Sequence, residues 1–253
     1  MDLGLKGLRA VVTGGTKGIG RAIAETLAAE GADVAICARH ADDVEQAVTA
    51  LKSKGVRSTG RALDVADGPA LADWIADVAA EFGGIDIAVS NVSALAIGND
   101  DESWKRGFDI DMMATVHLVN ACMPHLEQSK SPAIVTISSV SGREIDFAAG
   151  PYGAFKAALI HYTQGLAYQL AGKGIRANSV SPGNTYFEGG VWNQIKDGNP
   201  ELYATALALN PTGRMGTPQE MANATVFLAS PAASFITGTN LVVDGALTRG
   251  VQF

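Results

Sequence analysis

The sequence predicts an α/β fold: a single doubly wound parallel sheet of about seven strands with helices on both faces. Three observations lead to this prediction. Short apolar, β-branched runs alternate with longer Ala-rich segments of helical period along the 253 residues, which is the pattern of repeated βαβ units. Glycine is frequent, at 29 residues, as tight turns between strands and helices require. No Pro/Ser-rich linker, charge block or repeat divides the chain, so residues 1–253 are interpreted as one domain.

The strands are short apolar runs. The first is Leu-Arg-Ala-Val-Val-Thr at about 8–13, and the second is Asp-Val-Ala-Ile-Cys-Ala at about 33–38. Ile-Asp-Ile-Ala-Val-Ser at 85–90 and Pro-Ala-Ile-Val-Thr-Ile-Ser at 132–138 have the same character. The set of seven is completed by strands at 57–63, 175–181 and 239–243.

The longer segments between the strands have a helical period. They predict helices at roughly 18–30, 41–54, 67–82, 101–127, 151–172 and 217–229. Crossovers between parallel strands are right-handed, which places such helices on both faces of the sheet. Ligands of doubly wound sheets bind at the carboxyl ends of the strands. The residues that follow each strand are therefore the candidates for a functional site.

Composition and charge restrict the class of partner. The formal net charge is −7 and there is no basic run, which argues against nucleic acid or an anionic membrane surface as a partner. No apolar run approaches the ~18 residues that a membrane span needs. Charges are scattered through the first nine residues, which have no continuous apolar core, so they do not resemble a secretory signal. We expect a cytoplasmic protein that acts on a small molecule.

Cysteine and histidine give no sign of a metal site or of disulfides. Cys37 and Cys122 lie inside apolar segments without a Cys-x-x-Cys spacing, so we expect reduced, packed thiols. The histidines have no recognisable ligand spacing and are interpreted as surface or capping residues; they are His40, His117, His125 and His161. We predict no metal.

A glycine-rich turn follows the first predicted strand and opens the first helix, in Thr-Gly-Gly-Thr-Lys-Gly-Ile-Gly at 13–20. Glycines allow a tight turn and a close approach of the backbone to a pyrophosphate. The helix amino terminus adds unpaired N–H groups and a positive dipole end. We interpret the turn as a dinucleotide cradle, with a merely structural turn as the alternative. The candidate cofactor-binding residues in it are Gly14, Thr16, Lys17, Gly18, Ile19 and Gly20.

A second pattern indicates proton transfer. Tyr152 and Lys156 are four residues apart on a predicted helix, and Ser139 precedes the tyrosine by thirteen residues. Positions i and i+4 share a helix face, so the ammonium of Lys156 can lie beneath the phenol of Tyr152 and favour its phenolate. Taken alone, the pair has an ordinary alternative, a half-buried aromatic ring beside a solvated lysine.

Together, the Gly-x-x-x-Gly-x-Gly spacing and the Ser139, Tyr152 and Lys156 trio resemble the short-chain dehydrogenase/reductase family, from about Leu5 to Gly245. The resemblance implies a Rossmann-like fold and hydride transfer between a nicotinamide cofactor and a carbonyl or alcohol carbon. It also implies a homotetramer, because the ending from Ala246 to Phe253 resembles a family tail that often lies at a subunit contact.

The resemblance also assigns cofactor contacts beyond the glycine turn. Asp64 and Val65, at the end of the third strand, would meet the adenine. Asn91 lies in Ser-Asn-Val-Ser, where the family usually has Asn-Asn-Ala-Gly, so only one residue of that segment matches. The nicotinamide would be bordered by Pro182 and Gly183, with Thr185 at its carboxamide, and Lys156 and Tyr152 would bind the cofactor as well.

The end of the second strand bears on the choice between NAD and NADP. An acidic residue there would accept hydrogen bonds from the ribose hydroxyls of NAD. The sequence has Ala-Arg-His instead, at 38–40. Arg39, joined by Lys17, can hold the 2′-phosphate of NADP through charge-assisted bonds. We therefore expect NADP rather than NAD, the alternative being that both cations are simply solvated.

In the family's mechanism Tyr152 protonates a carbonyl oxygen as hydride arrives, or removes the hydroxyl proton in reverse. Ser139 holds that oxygen, with Ser138 and Ser141 as nearby alternatives, and Lys156 acts on the tyrosine and on the nicotinamide ribose. One position departs from the family, which usually has an asparagine seven residues after a tryptophan and thirteen before a proline. Counting from both leads to Asp111. Either this is a tolerated, nearly isosteric exchange, or the aspartate tunes the proton relay.

The substrate class is predicted only from the side chains expected to surround the site. A lid is expected at about 184–210, where Tyr186, Phe187 and Trp192 occur among glycines. Together with residues 94–98 and 144–147, these aromatic residues indicate that the substrate is an apolar, cyclic or aromatic ketone or alcohol. A 3-oxoacyl-thioester reductase is the alternative within this class of enzyme. A catalytically silent dinucleotide-sensing protein is the alternative outside it, because fold alone does not establish turnover.

Overall fold

The structure is a computed structural model that describes residues 1–251. Seven parallel strands form one sheet in the order β3-β2-β1-β4-β5-β6-β7. They are β1 (Arg9–Thr13), β2 (Asp33–Ala38), β3 (Ser58–Ala62), β4 (Ile87–Ser90), β5 (Ala133–Ile137), β6 (Arg176–Pro182) and β7 (Asn240–Val243). The strand order reverses between β1 and β4, which is where ligands bind in a doubly wound sheet. The predicted fold class is confirmed.

Helices connect the strands across both faces. They are α1 (Gly18–Ala29), α2 (Ala41–Lys52), α3 (Gly68–Phe82), α4 (Asp101–Arg106), α5 (Ala114–Leu126), α6 (Pro151–Leu170), α7 (Val191–Gly198), α8 (Pro200–Ala208) and α9 (Pro218–Ala229). The segment predicted as one helix at 101–127 is helical throughout, but a π-helical stretch, Gly107–Met113, separates α4 from α5. The helices α7 and α8 were not predicted.

Two apolar cores lie on the two faces of the sheet. Along β1, Val11 joins the core under α3 and α5, whereas Ala10 and Val12 join the core under α1 and α9. This alternation follows from the two-residue period of a strand. Both faces of β1 are therefore covered, and the polar side chains of the site emerge only where the strands end.

The carboxyl end of α9 is held by a buried arginine at the start of β6. Arg176 donates from Nη1 to the carbonyl oxygen of Leu228 at 2.6 Å, and from Nη2 to those of Ala229 and Ser230 at 3.1 and 3.0 Å. Burial lowers the pKa of its guanidinium. These bonds satisfy carbonyls that a helix end leaves unpaired.

The segment predicted to be a lid has its own small core. Trp192 on α7, Ala206 on α8 and Met215 pack together, and a parallel bridge between Thr185 and Gly216 joins the segment to the sheet domain. Trp192 is therefore buried within the segment, with Tyr186 and Tyr203 packed against this small core. Opening of the lid stays a prediction.

Both cysteines are free and buried, as expected. Burial raises the pKa of the Cys37 thiol to about 12 and raises that of Cys122 as well. Within residues 1–251, no helix is both long and apolar enough to span a membrane.

Candidate active site

A cavity of about 280 Å³ opens at the carboxyl ends of β1, β4, β5 and β6. It brings together eleven of the residues that the sequence nominated: Lys17, Gly18, Ile19, Gly20, Asn91, Ser139, Tyr152, Lys156, Pro182, Gly183 and Thr185. The other five candidates, Gly14, Thr16, Arg39, Asp64 and Val65, do not line it. Those five belong to the glycine turn and to the ends of β2 and β3, beyond the cavity.

The glycine turn has the shape of a cradle that side chains would fill. Gly14 and Gly18 have positive φ angles, +68° and +54°. A Cβ on Gly20 would stand 2.2 Å from the carbonyl oxygen of Gly14, so only glycine fits there. No side chain caps the amino end of α1, at Lys17. These features fit a pyrophosphate, which would lie against the glycines and the free N–H groups of α1.

Asn91, at the end of β4, holds this turn in place. Its backbone N–H donates to Thr13 Oγ1 at 3.0 Å, and its amide Nδ2 donates to the carbonyl oxygens of Thr13 and Gly14 at 3.1 and 3.4 Å. Asn91, the one residue of Ser-Asn-Val-Ser that matches the family, therefore links the end of β4 to the glycine turn.

The adenosine end of the predicted cofactor site contains two cations in different situations. Lys17 Nζ lies 2.7 Å from Asp43 Oδ2, and the hydrogen bond from Lys17 lowers the pKa of that carboxyl. Arg39 is exposed at the end of β2, and no salt bridge to it is found among residues 1–251. Val65 is buried and Asp64 is exposed after β3. The arginine is therefore the cation that is free to meet a phosphate.

Lys156 and Tyr152 lie near the start of α6, which begins at Pro151, a residue suited to the first helical position. Lys156 is 2% exposed, and its Nζ donates to the carbonyl oxygen of Ile137 at 3.0 Å. The ammonium also lies 5.7 Å from the centre of the Tyr152 ring. Ser138 and Ser139 both line the cavity, but the Ser138 hydroxyl already donates to the carbonyl oxygen of Lys156 at 2.7 Å, whereas Ser139 has no such bond to the helix.

Asp111 supplies a carboxylate to the same lysine. Its Oδ1 is 3.1 Å from Lys156 Nζ, with the two side chains 0% and 2% exposed, and its Oδ2 accepts a hydrogen bond from the N–H of Ala94 at 2.9 Å. Oδ1 has no partner with hydrogen-bond geometry, so the contact with Nζ is an ion pair. Asp111 lies within the π-helical stretch. Gly107, at the start of that stretch, lets it approach α6, since a Cβ there would stand 2.7 Å from the Phe155 ring.

A family model described as enoyl-(acyl carrier protein) reductase matches residues 14–248. The chain belongs to the short-chain dehydrogenase/reductase family. Members of this family are NAD(P)-dependent dehydrogenases and reductases that act on alcohol and ketone groups, and this protein is an oxidoreductase of that kind.

Three known proteins illustrate the similarity. Isoepoxydon dehydrogenase patN of Penicillium expansum is 40% identical over 258 residues, which cover 100% of this chain and 99% of the relative. The 3-oxoacyl-[acyl-carrier-protein] reductase of Escherichia coli is 36% identical over 97% of this chain and 99% of its own. The crystal structure of L-sorbose reductase from Gluconobacter frateurii, complexed with NADPH and L-sorbose, superposes with a TM-score of 0.91 at 31% identity, over 99% of this chain and 100% of that one.

In this short-chain dehydrogenase/reductase, Ser139 belongs to a polar network that the sequence did not reveal. Ser139 Oγ donates to Ser141 Oγ at 3.3 Å, and Ser141 Oγ donates to Asp146 Oδ2 at 2.6 Å. All three line the cavity. Asp146 falls within the 144–147 segment that was expected to favour an apolar substrate, so that expectation missed a carboxylate. The nearby Ser141 was the only signal for it.

The cavity is also lined by apolar side chains, some of which come from the lid. Phe187 lies against the cradle, close enough that a Cβ on Gly18 would stand 2.5 Å from its ring. Phe147 and Trp192 form an edge-to-face pair with ring centres 5.7 Å apart. Leu95 and Ile97 complete the wall, and Leu95 has an unusual φ of +49° for a leucine. The cavity thus combines polar side chains at Ser139, Ser141 and Asp146 with an apolar wall.

Within residues 1–251, no group of three or more His, Cys, Asp or Glu side chains is placed to hold a metal ion. The described residues that line the cavity contribute hydroxyls, the amides of Asn91 and Asn184, the phenol of Tyr152, the ammoniums of Lys17 and Lys156 and the carboxylate of Asp146, with Asp111 buried behind Lys156.

Proposed function

We propose that this protein is an NADP-dependent oxidoreductase that interconverts a small ketone and its secondary alcohol. The observation that carries the proposal is the buried Lys156 between Tyr152 and Asp111, in the same cavity as Ser139 and the glycine cradle. A phenol, a hydroxyl and a buried ammonium beside a nucleotide cradle suit general acid–base chemistry at a carbonyl.

The protein's own groups supply everything but the hydride. A nicotinamide held by Pro182, Gly183 and Thr185 would supply the hydride to the carbonyl carbon, or accept it in the reverse direction. In reduction, Tyr152 gives its phenolic proton to the carbonyl oxygen as the C=O bond becomes a C–O single bond, and Ser139 Oγ donates a hydrogen bond to that oxygen. The resulting phenolate is stabilised by the Lys156 ammonium 5.7 Å from the ring centre. Oxidation of the alcohol runs through the same groups in reverse.

The preference for NADP rests on Arg39. It is exposed, follows β2 directly and has no carboxylate partner among the described residues, so it can meet a 2′-phosphate. Lys17 can join it at small cost, because an exposed ion pair such as the one with Asp43 contributes little. That L-sorbose reductase was crystallised with NADPH is consistent with this proposal.

The size of the cavity favours a ring-sized or shorter substrate, because the nicotinamide takes part of the roughly 280 Å³. The names of two similar proteins, isoepoxydon dehydrogenase and L-sorbose reductase, describe small molecules. A 3-oxoacyl-thioester reductase is the second candidate, supported by the 36% identity with the Escherichia coli enzyme.

Further parts of the proposal come from the sequence, and the family resemblance adds the homotetramer. They are a single catalytic domain, a lid at about 184–210 that opens for the substrate, a homotetramer and a cytoplasmic location. The tail assigned to the subunit contact includes residues 252 and 253, which lie outside the described residues.

A substrate and cofactor panel tests the proposal. The purified protein is given small cyclic ketones, sugars and a 3-oxoacyl thioester, each with NADPH and with NADH, and the loss of reduced nicotinamide is followed optically. We expect turnover of a small ketone with a lower KM for NADPH. A preference for the thioester supports the second candidate, and binding of NADPH without any turnover identifies a sensor and overturns the proposal.

A further inference from the structure

Next to Ser139, the cavity contains a hydrogen-bonded pair that the proposed reaction does not use, Ser141 and Asp146. Ser141 Oγ donates to Asp146 Oδ2 at 2.6 Å, and the second carboxylate oxygen accepts a hydrogen bond from the N–H of Ala148 at 2.8 Å. The N–H of Ser141 in turn donates to Ser139 Oγ at 3.2 Å. The carboxylate is therefore fixed in its loop and linked to the serine that holds the reacting oxygen.

The direction of these hydrogen bonds makes Ser141 a hydrogen-bond acceptor towards the cavity. A carboxylate only accepts hydrogen bonds, so the Ser141 hydroxyl donates its hydrogen to Asp146. The Ser141 oxygen can then only accept a hydrogen bond from another group. Its donor is the Ser139 hydroxyl, at 3.3 Å. When Ser139 turns its proton to a substrate carbonyl, Ser141 Oγ loses that donor. A ligand that brings a hydrogen-bond donor to this point restores it, and a ligand that brings only an acceptor does not.

We propose that Ser141 and Asp146 bind a hydroxyl group of the substrate, on the carbon next to the reacting carbonyl. The proposal rests on the ketone reduction proposed above and deepens it. The hydroxyl oxygens of Ser139 and Ser141 are 3.3 Å apart, a separation that fits two substrate oxygens on neighbouring carbons. The substrate class is then an α-hydroxyketone, and the product class is a vicinal diol.

The remaining surroundings suit a substrate of this kind. The wall of Leu95, Ile97, Phe147 and Trp192 is apolar and can hold the carbon skeleton. The polar pair and the apolar wall together would orient the ring or chain of the substrate as well as bind it. The apolar, cyclic or aromatic substrate expected from the sequence is thereby specified further, as a carbon skeleton with an apolar face and a hydroxyl next to the reacting carbonyl.

The test compares three ketones that differ at one carbon: cyclohexanone, 2-hydroxycyclohexanone and 2-methoxycyclohexanone. The readout is the ratio of kcat/KM values, measured with the nicotinamide that the wild-type protein uses better. We expect the wild-type protein to favour the hydroxyketone over cyclohexanone by about ten- to hundredfold, because cyclohexanone leaves the Ser141 acceptor without a donor. The methoxy compound accepts but does not donate, so it should gain nothing.

The decisive variant is Asp146→Asn, which keeps the shape of the side chain. Its Oδ1 can still accept from the N–H of Ala148, whereas its Nδ2 would donate to Ser141 and turn the Ser141 proton towards the cavity. We expect the preference for the hydroxyketone to fall at least about tenfold and the methoxy compound to improve. Ser141→Ala should lose the preference without this reversal. Asp73→Asn, an exposed carboxylate on α3, is the matched control and should keep the wild-type ratios.

The outcomes separate this inference from the proposed function. If Asp146→Asn and Ser141→Ala both retain the wild-type ratios, Asp146 only orders its loop and the inference is wrong. It is equally wrong if the wild-type protein reduces ketones without favouring the hydroxyl. A wild-type protein that reduces no ketone with either nicotinamide overturns the proposed function itself. Should Asp146→Asn fail to fold, the ratios for Ser141→Ala decide alone.

Discussion

Lys156 Nζ and Asp111 Oδ1 form an ion pair of 3.1 Å at a depth where the two side chains are 2% and 0% exposed. The family usually places a neutral asparagine at the position of Asp111, so the charge next to the lysine is a property of this chain. A carboxylate there offsets part of the positive field that Lys156 exerts on Tyr152. The charged groups that face the lysine within residues 1–251 are Asp111 and, once deprotonated, Tyr152.

The first prediction concerns this pair. Asp111→Asn removes the negative charge but leaves an acceptor for the N–H of Ala94. We expect the acidic limb of the pH profile for alcohol oxidation to move to lower pH, because the variant removes a negative charge 3.1 Å from the Lys156 ammonium. Superimposable profiles for the variant and the parent would identify Asp111 as a tolerated exchange. Asp111→Ala also removes the acceptor and strands the buried ammonium, so it should lose about 3–5 kcal/mol of stability.

The second prediction concerns Arg39. Arg39→Ala removes the cation that we propose for the 2′-phosphate, so the KM for NADPH should rise about ten- to hundredfold, while the KM for NADH changes little. Lys54→Ala, an exposed cation after α2, changes the net charge equally and serves as the control. An unchanged ratio of kcat/KM for NADPH and NADH would show that Arg39 is only a solvated cation.

The third prediction concerns Arg176. Arg176→Lys replaces a planar guanidinium group by a single ammonium. The ammonium cannot donate to the carbonyls of Leu228, Ala229 and Ser230 at the same time. We expect a loss of about 2 kcal/mol in the free energy of unfolding, measured by urea denaturation. Arg106→Lys, on the exposed surface of α4, should stay within about 0.5 kcal/mol of the parent. Equal stabilities of the two variants would mean that the buried bonds contribute nothing.

The fourth prediction concerns stability in acid. Glu220 caps α9 in a capping box with Thr217, and its hydrogen bond with Arg214 lowers the pKa of the carboxyl from 4.5 to about 2. A lowered pKa means that this stabilisation is present above about pH 4.5 and is lost as the pH falls towards 2. Glu220→Gln keeps the box but not the charge.

The parent should therefore lose more stability than Glu220→Gln between pH 5 and pH 2.5, as measured by thermal unfolding. Glu220→Ala should be less stable than Glu220→Gln by about 1 kcal/mol at every pH, because the capping box itself is gone. Parallel losses in the parent and Glu220→Gln would show that the ion pair does not contribute.

Local pattern was enough to predict most of the fold and the centre of the site. The strands are apolar runs, and the glycine turn and the Tyr152 and Lys156 pair are set by spacing within one element, so each could be identified without neighbours. The helix α8 was also marked locally, since Asn199 caps it and Pro200 begins it. That signal was missed because glycines and polar residues in the preceding stretch indicated a loop.

What could not be predicted depends on contacts between distant parts of the chain. The Arg176 side chain was unassigned because its acceptors lie more than fifty residues further on. The π-helical stretch that places Asp111 beside Lys156 depends on the approach of Gly107 to Phe155, which no period in the sequence records. Asp146 was missed because its partner Ser141 lies across an irregular loop, where neither a helical nor a strand period applies.

Replacement of Tyr152 by Phe tests the proposed chemistry most directly. The variant keeps the ring beside Lys156 and removes only the phenolic oxygen that exchanges the proton. We expect kcat for ketone reduction to fall by about a hundredfold or more, whereas NADPH still binds with the parent's Kd, as followed by nucleotide fluorescence. Turnover close to that of the parent would contradict the assignment of Tyr152 as the proton donor.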